Sequence, residues 1–115
     1  MSRIEKVQEL ILRNVAEILS RRIDNSRIGF ISITAVKVSP DFSIAKVFYS
    51  QYGDDDAKKH TYWALRRASR FIKGELGKIM QMKKLPTLRF IYDDSLEKGV
   101  YLVNQINALS KNDPT

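Results

Sequence analysis

Ten cations crowd one stretch of this 115-residue chain. Residues 57–90 carry Lys58, Lys59, Arg66, Arg67, Arg70, Lys73, Lys78, Lys83, Lys84 and Arg89 against a single acid, Glu75. The remaining residues hold ten bases and twelve acids, so the whole surplus behind the net charge of +7 lies in this segment. Ammonium and guanidinium groups in rows bind phosphate, because each contact releases condensed counterions. Segregated charge of this kind points to a polyanionic partner, with nucleic acid ahead of an anionic membrane. Taking residues 62–80 as helical, Arg66, Arg70 and Lys73 fall at i, i+4 and i+7 on one stripe. Arg67, Gly74 and Lys78 fall on the adjacent stripe, and Lys83, Lys84 and Arg89 carry the charge onward.

Aromatic rings are interleaved with these cations, and a base stacks on an exposed ring. Tyr62 and Trp63 fit either stacking or core packing, and their spacing puts one of them at the outer edge of the helix. Phe71 is expected inside, because Phe71, Ile72, Leu76, Ile79 and Met80 form an apolar side.

Other chemistry has little to work with. There is no cysteine, so disulfides and thiolate metal sites are excluded. One histidine, His60, cannot build a multi-histidine metal site and is expected at a solvated helix start. Gly77-Lys78 lacks both the glycine spacing and the following Ser or Thr of a phosphate-binding loop. Asp54-Asp55-Asp56 is accounted for by a helix N-terminus, where the macrodipole favours negative charge. Asp93-Asp94 is accounted for by the start of a further helix. No enzyme activity, cofactor, metal or small-molecule substrate is expected. Glu5 and Glu9 interrupt the first apolar positions, and no stretch approaches the roughly 18 apolar residues of a membrane span, so a cytoplasmic protein is expected.

The elements that position the cations follow from periodicity. Residues 3–22 form an amphipathic helix through Ile4, Val7, Ile11, Val15, Ile18 and Leu19, with Ser2 and Glu5 as a capping box. Residues 29–38 form a strand whose apolar phase shifts between Ile33 and Val36, which predicts either two covered faces or a bulge. Ser39-Pro40-Asp41 turns the chain into a second strand, residues 44–50, giving a hairpin. Residues 57–82 are helical with a bend, residues 87–92 form a third strand, and a last helix follows Asp94-Ser95-Leu96-Glu97. Gly74 and Gly77 inside the helix suggest close packing. The fold class is α+β, with a three-stranded sheet packed on helices. Residues 1–110 make one domain and residues 111–115 a flexible tail.

The α-β-β-α-α-β order is that of a type II KH domain. Gly74-Glu75-Leu76-Gly77 matches the GxxG of KH loops in letter, but it lies within an apolar helical pattern. A closer match runs over residues 3–109. It is carried by Arg3-Ile4-Glu5-Lys6-Val7, by Ile33-Thr34-Ala35-Val36-Lys37-Val38-Ser39-Pro40-Asp41, and by Ala45-Lys46-Val47-Phe48-Tyr49-Ser50. Ala68-Ser69-Arg70-Phe71-Ile72-Lys73 with Glu75-Leu76, and Leu85-Pro86-Thr87-Leu88-Arg89-Phe90 ending in Asp93, complete it. In these pieces the chain resembles the ribosome-binding factor A family. The resemblance implies a KH-like domain in which an Ala-x-Gly kink replaces the GxxG loop, here at Ala68, Ser69 and Arg70, with Arg70 standing where a glycine is usual. It also implies a factor in late maturation of the small ribosomal subunit, linked to cold adaptation, with the subunit and its rRNA as partners; a monomer is assumed. The RNA-binding residues expected are Arg66, Arg67, Arg70, Lys73, Lys78, Lys83 and Lys84. The alternatives are a general KH-like binder of single-stranded RNA and a protein-interaction module for an acidic partner.

Overall fold

Apolar residues three and four apart on two helices, and two apart on three strands, leave one way to bury both patterns: helices laid on one face of a sheet. The computed structural model describes residues 1–22 and 31–95. Its elements are α1 (Arg3–Arg22), β1 (Ile31–Val38), β2 (Ile44–Gln51), α2 (Asp55–Met80) and β3 (Thr87–Tyr92). Strand order is β1-β2-β3, with β1 and β2 antiparallel and β2 and β3 parallel. A parallel pair needs a crossover connection, and α2 is that crossover. α1 packs over β1, α2 over β3, and the two helices touch.

α1 starts where the capping box predicts: Ser2 Oγ accepts from the Glu5 N–H at 3.1 Å. Its buried stripe is Val7, Ile11, Val15, Ile18 and Leu19. Gln8 Oε1 accepts from the Val38 N–H at 3.0 Å and ties the helix to the end of β1. The phase shift in β1 is a bulge, since the register slips between Ile33 and Ala35 and leaves Thr34 unpaired. The slip lets Ile31 and Ile33 pack toward the same core as Val36 and Val38.

The hairpin turn is organised by one carboxylate. Asp41 Oδ1 accepts from Ser39 Oγ at 2.7 Å, Ser43 Oγ at 2.7 Å and the Ser43 N–H at 3.1 Å. These bonds favour the charged form and hold the Asp41 carboxyl down to about 2. Phe42 beside it takes a left-handed conformation, φ 60°.

Under the helices, Val36, Val38, Ala45, Val47, Tyr49, Leu88 and Phe90 meet Leu65, Ile72 and Leu76 of α2 and the α1 stripe. Each fully buried aliphatic side chain contributes roughly 1.5–3 kcal/mol of transfer free energy. Burial pushes the Tyr49 phenol up to about 12, so the ring enters the core neutral.

α2 differs from expectation in one respect. It is a single helix of 26 residues, and helical conformation runs through Ala68, Ser69 and Arg70 without a break. Arg70 explains this, because arginine is a good helix former where glycine would cost about 1 kcal/mol. Ser69 Oγ bonds back to the Arg66 carbonyl at 2.9 Å, so even the serine stays within the helix. The expected last helix beyond Ser95, and the tail, lie outside the described residues.

Candidate nucleic-acid interface on α2

Asp54 caps α2, its Oδ1 accepting from the Ala57 N–H at 2.8 Å, with Asp55 and Asp56 in the first turn. The three aspartates therefore serve the helix start. Among the described residues no group of three or more His, Cys, Asp or Glu is placed to hold a metal ion, and no helix is long and apolar enough to cross a membrane.

Opposite the buried Leu65, Ile72 and Leu76 runs an exposed stripe: Trp63, Arg67, Arg70, Gly74 and Lys78. Arg66 is exposed beside it, and Lys73 is half-buried on the flank. Past the helix, Gln81 adopts a left-handed conformation (φ 53°) and its N–H reaches the Gly77 carbonyl at 3.3 Å. Lys83 and Lys84, two and three residues past this cap, are exposed. Six of the seven expected binding residues are thus exposed, and five of the seven share α2.

Local contacts organise this surface. The Arg66 guanidinium carbon sits 5.4 Å from the centroid of the Trp63 ring, and Arg66 Nη1 is 3.4 Å from the Tyr62 hydroxyl. Tyr62 and Trp63 meet edge to face, with centroids 5.5 Å apart and planes at 79°. Arg67 Nε donates to the Trp63 carbonyl at 3.3 Å. Arg66 is thereby held against the exposed indole and Arg67 against the backbone one turn earlier, so the unit offers a flat ring and positioned cations together.

Glu75, the one acid of the segment, is buried, and its Oε1 takes Lys78 Nζ at 3.3 Å. Among the described residues Lys78 is the only one of the seven with a carboxylate partner. Among the described residues, phosphate approaching Arg67 and Arg70 on the outer stripe meets no carboxylate paired with them, whereas at Lys78 it competes with Glu75.

Two expectations are corrected. Phe71 is 47 % exposed and Ile79 52 % exposed, where an inward side was expected. The core side of α2 is narrower than the run of apolar letters. Phe71 lies one residue, about 100°, from Ile72, which places its ring beyond the edge of the sheet contact. Gly74 has open space around its Cβ position, whereas Gly77 packs closely, a Cβ there lying 3.2 Å from Leu85 Cδ1. Tyr62 and Trp63 both lie outside. One of Tyr62 and Trp63 was expected at the outer edge; exposure of the other, and of Phe71, was hidden because apolar letters on a helix flank signal burial by default. The surrounding arginines were the only hint otherwise.

A mixed three-stranded sheet carrying helices on one face, with a cationic crossover helix, defines a KH-like α+β domain. The model of the family "Ribosome-binding factor A" matches residues 3–106. Ribosome-binding factor A of Trichlorobacter lovleyi is 43 % identical over 97 residues, covering 84 % of this chain and 79 % of that protein. Its counterpart in Staphylococcus epidermidis is 38 % identical over 111 residues, covering 96 % of each. The crystal structure of ribosome-binding factor A from Thermus thermophilus is similar in fold, with a TM-score of 0.69 and 24 % identity over 77 % of this chain and 93 % of that one. So are the T. thermophilus coordinates fitted into a cryo-EM map of a 30S–RbfA complex, with a TM-score of 0.65 and 23 % identity over 83 % of this chain and 97 % of that one. The chain belongs to the ribosome-binding factor A family.

Proposed function

We propose that this protein binds the small ribosomal subunit through α2 and acts in its late maturation by holding a local conformation of small-subunit rRNA. The observation that carries the reading is the exposed stripe of Arg67, Arg70 and Lys78 beside the Arg66–Trp63 pair, with Glu75 withdrawn into the protein. Phosphates would lie along the stripe, and Lys73, Lys83 and Lys84 would extend the contact. The fitting of a relative into a 30S map supports the choice of subunit. In this reading the protein is a cytoplasmic monomer without catalytic chemistry or cofactor. Its role would weigh most in the cold, where misfolded RNA rearranges slowest. Helical continuity through Ala68, Ser69 and Arg70 would keep the cations in fixed phase on one rod, with Ser69 as the point where the rod yields.

Sucrose-gradient sedimentation with small subunits, large subunits and whole ribosomes, at low and moderate salt, tests this. Salt-sensitive association with the free small subunit is the expected result. Absence of association with every particle at low salt would overturn the reading. Tight binding to short unstructured RNA with no preference for the subunit would favour a general single-strand binder instead.

A further inference from the structure

The other face of the sheet carries its own pattern. Strand register aligns Lys37 with Lys46, and Lys46 with Arg89. All three are exposed, so a row of cations, one per strand, crosses the sheet on the face turned away from the core. Adjacent strands lie about 4.8 Å apart, so the row spans about 10 Å. Like charges directly opposite each other destabilise a sheet. No carboxylate relieves them: among the described residues none of the three has an ion-pair partner. Asp41 is occupied by Ser39 and Ser43, and Asp93 by Thr34 and Ser95.

The next row on this face is Ala35, Phe48 and Ile91, with the Phe48 ring on the central strand and partly exposed. A line of positive charge beside an aromatic ring fits a nucleic-acid strand, whose phosphates and bases need both. An acidic protein would answer the charge but has no use for the ring. We propose that this face binds a single-stranded RNA segment, with phosphates along Lys37, Lys46 and Arg89 and a base on Phe48. The site lies on the opposite side of the sheet from α2. The domain would therefore stand between two RNA elements and fix their separation, which rests on the RNA-binding reading of α2 only for the identity of the second element.

The test is an NMR titration of the ¹⁵N-labelled full chain with a short oligouridine at low salt, which reads weak binding residue by residue. Saturable shifts at the amides of Lys37, Lys46, Phe48 and Arg89 are expected. The K37Q/K46Q/R89Q variant should lose them, and the magnitude of the log–log salt slope should fall by about 2, at about 0.7 per phosphate contact. Phe48→Leu should weaken binding with the slope unchanged. Removing three mutually repelling surface charges should not lower the melting temperature, so loss of shifts would not reflect misfolding. Shifts confined to α2, or none at the sheet, would overturn the proposal. So would equal shifts with poly-L-glutamate that are indifferent to Phe48→Leu, which would assign the face to an acidic protein. Sedimentation of the same triple variant with small subunits separates this outcome from failure of α2, because the α2 contact is untouched.

Discussion

The Thr34 hydroxyl donates to Asp93 Oδ2 at 2.7 Å, although the two residues are 59 apart in sequence. Thr34 is the extra residue of the β1 bulge, and Asp93 follows β3 directly. The bulge thus releases a hydroxyl from strand pairing, and that hydroxyl closes the far end of the sheet. Asp93 also receives the Ser95 N–H at 2.9 Å, while its own N–H bonds the Tyr49 carbonyl at 2.7 Å.

Acid should weaken the fold through two carboxylates. The hydrogen bond from Thr34, then those from Ser95, hold the Asp93 carboxyl below its ordinary 3.8, and the two serines of the turn hold Asp41 down to about 2. A carboxyl depressed in the folded state stabilises it above the unfolded pKa, and that contribution disappears as pH falls through the folded value. Melting temperature should therefore drop between about pH 4 and pH 2. The D41N/D93N variant should show a shallower drop in the same melts. Thr34→Val should return the Asp93 titration, read by NMR, toward the ordinary carboxylate range.

Replacing one cation of α2 should weaken rRNA binding for every sequence tested. Arg70→Ala is the cleanest case, because Arg70 is exposed and alanine is a strong helix former. The magnitude of the log–log salt slope should fall by about 0.7–0.9. An unchanged affinity and slope would remove Arg70 from the surface.

The two helix glycines should separate. A Cβ at Gly74 meets nothing within 4 Å, so Gly74→Ala should raise stability by about 0.5–1 kcal/mol in urea unfolding. Gly77→Ala should gain less, because Leu85 must shift from a 3.2 Å contact. Gly74 also lies between Arg70 and Lys78 on the outer stripe. If G74A weakens subunit binding while stabilising the fold, RNA backbone comes close to the helix at that point.

Core truncation should act on the whole fold. Ile72 and Leu65 are fully buried between α2 and the sheet. Ile72→Ala or Leu65→Ala should each cost about 2–5 kcal/mol by chemical denaturation. Phe71→Ala, one position away but 47 % exposed, should cost much less.

Much of this architecture was legible in the residues. Period-3.6 spacing marked α1 to the residue, and alternation marked β3 to the residue. The bulge announced itself as a parity change, and Asp41 as turn chemistry. Cationic letters gave the α2 surface, since charged groups without partners stay in water. Ring positions were less legible. Which of Phe71 and Ile72 enters the core depends on where the edge of the sheet falls beneath the helix, a tertiary fact. The row of Lys37, Lys46 and Arg89 was invisible for a related reason: β3 lies far from the β1–β2 hairpin in sequence, and only the register brings Arg89 into line with the two lysines.

The crossover has a consequence for how the protein assembles. The β1–β2 hairpin closes over the short Ser39–Ser43 turn, but β3 joins β2 only after residues 52–86 have been laid down between them. Closing a longer segment costs more chain entropy, and α2 is most of that segment. The helix that carries the cations is also the clasp that delivers the last strand. RNA bound along α2, as proposed, would hold the clasp shut, so that the third strand and the ligand would share one equilibrium, each held longer by the presence of the other.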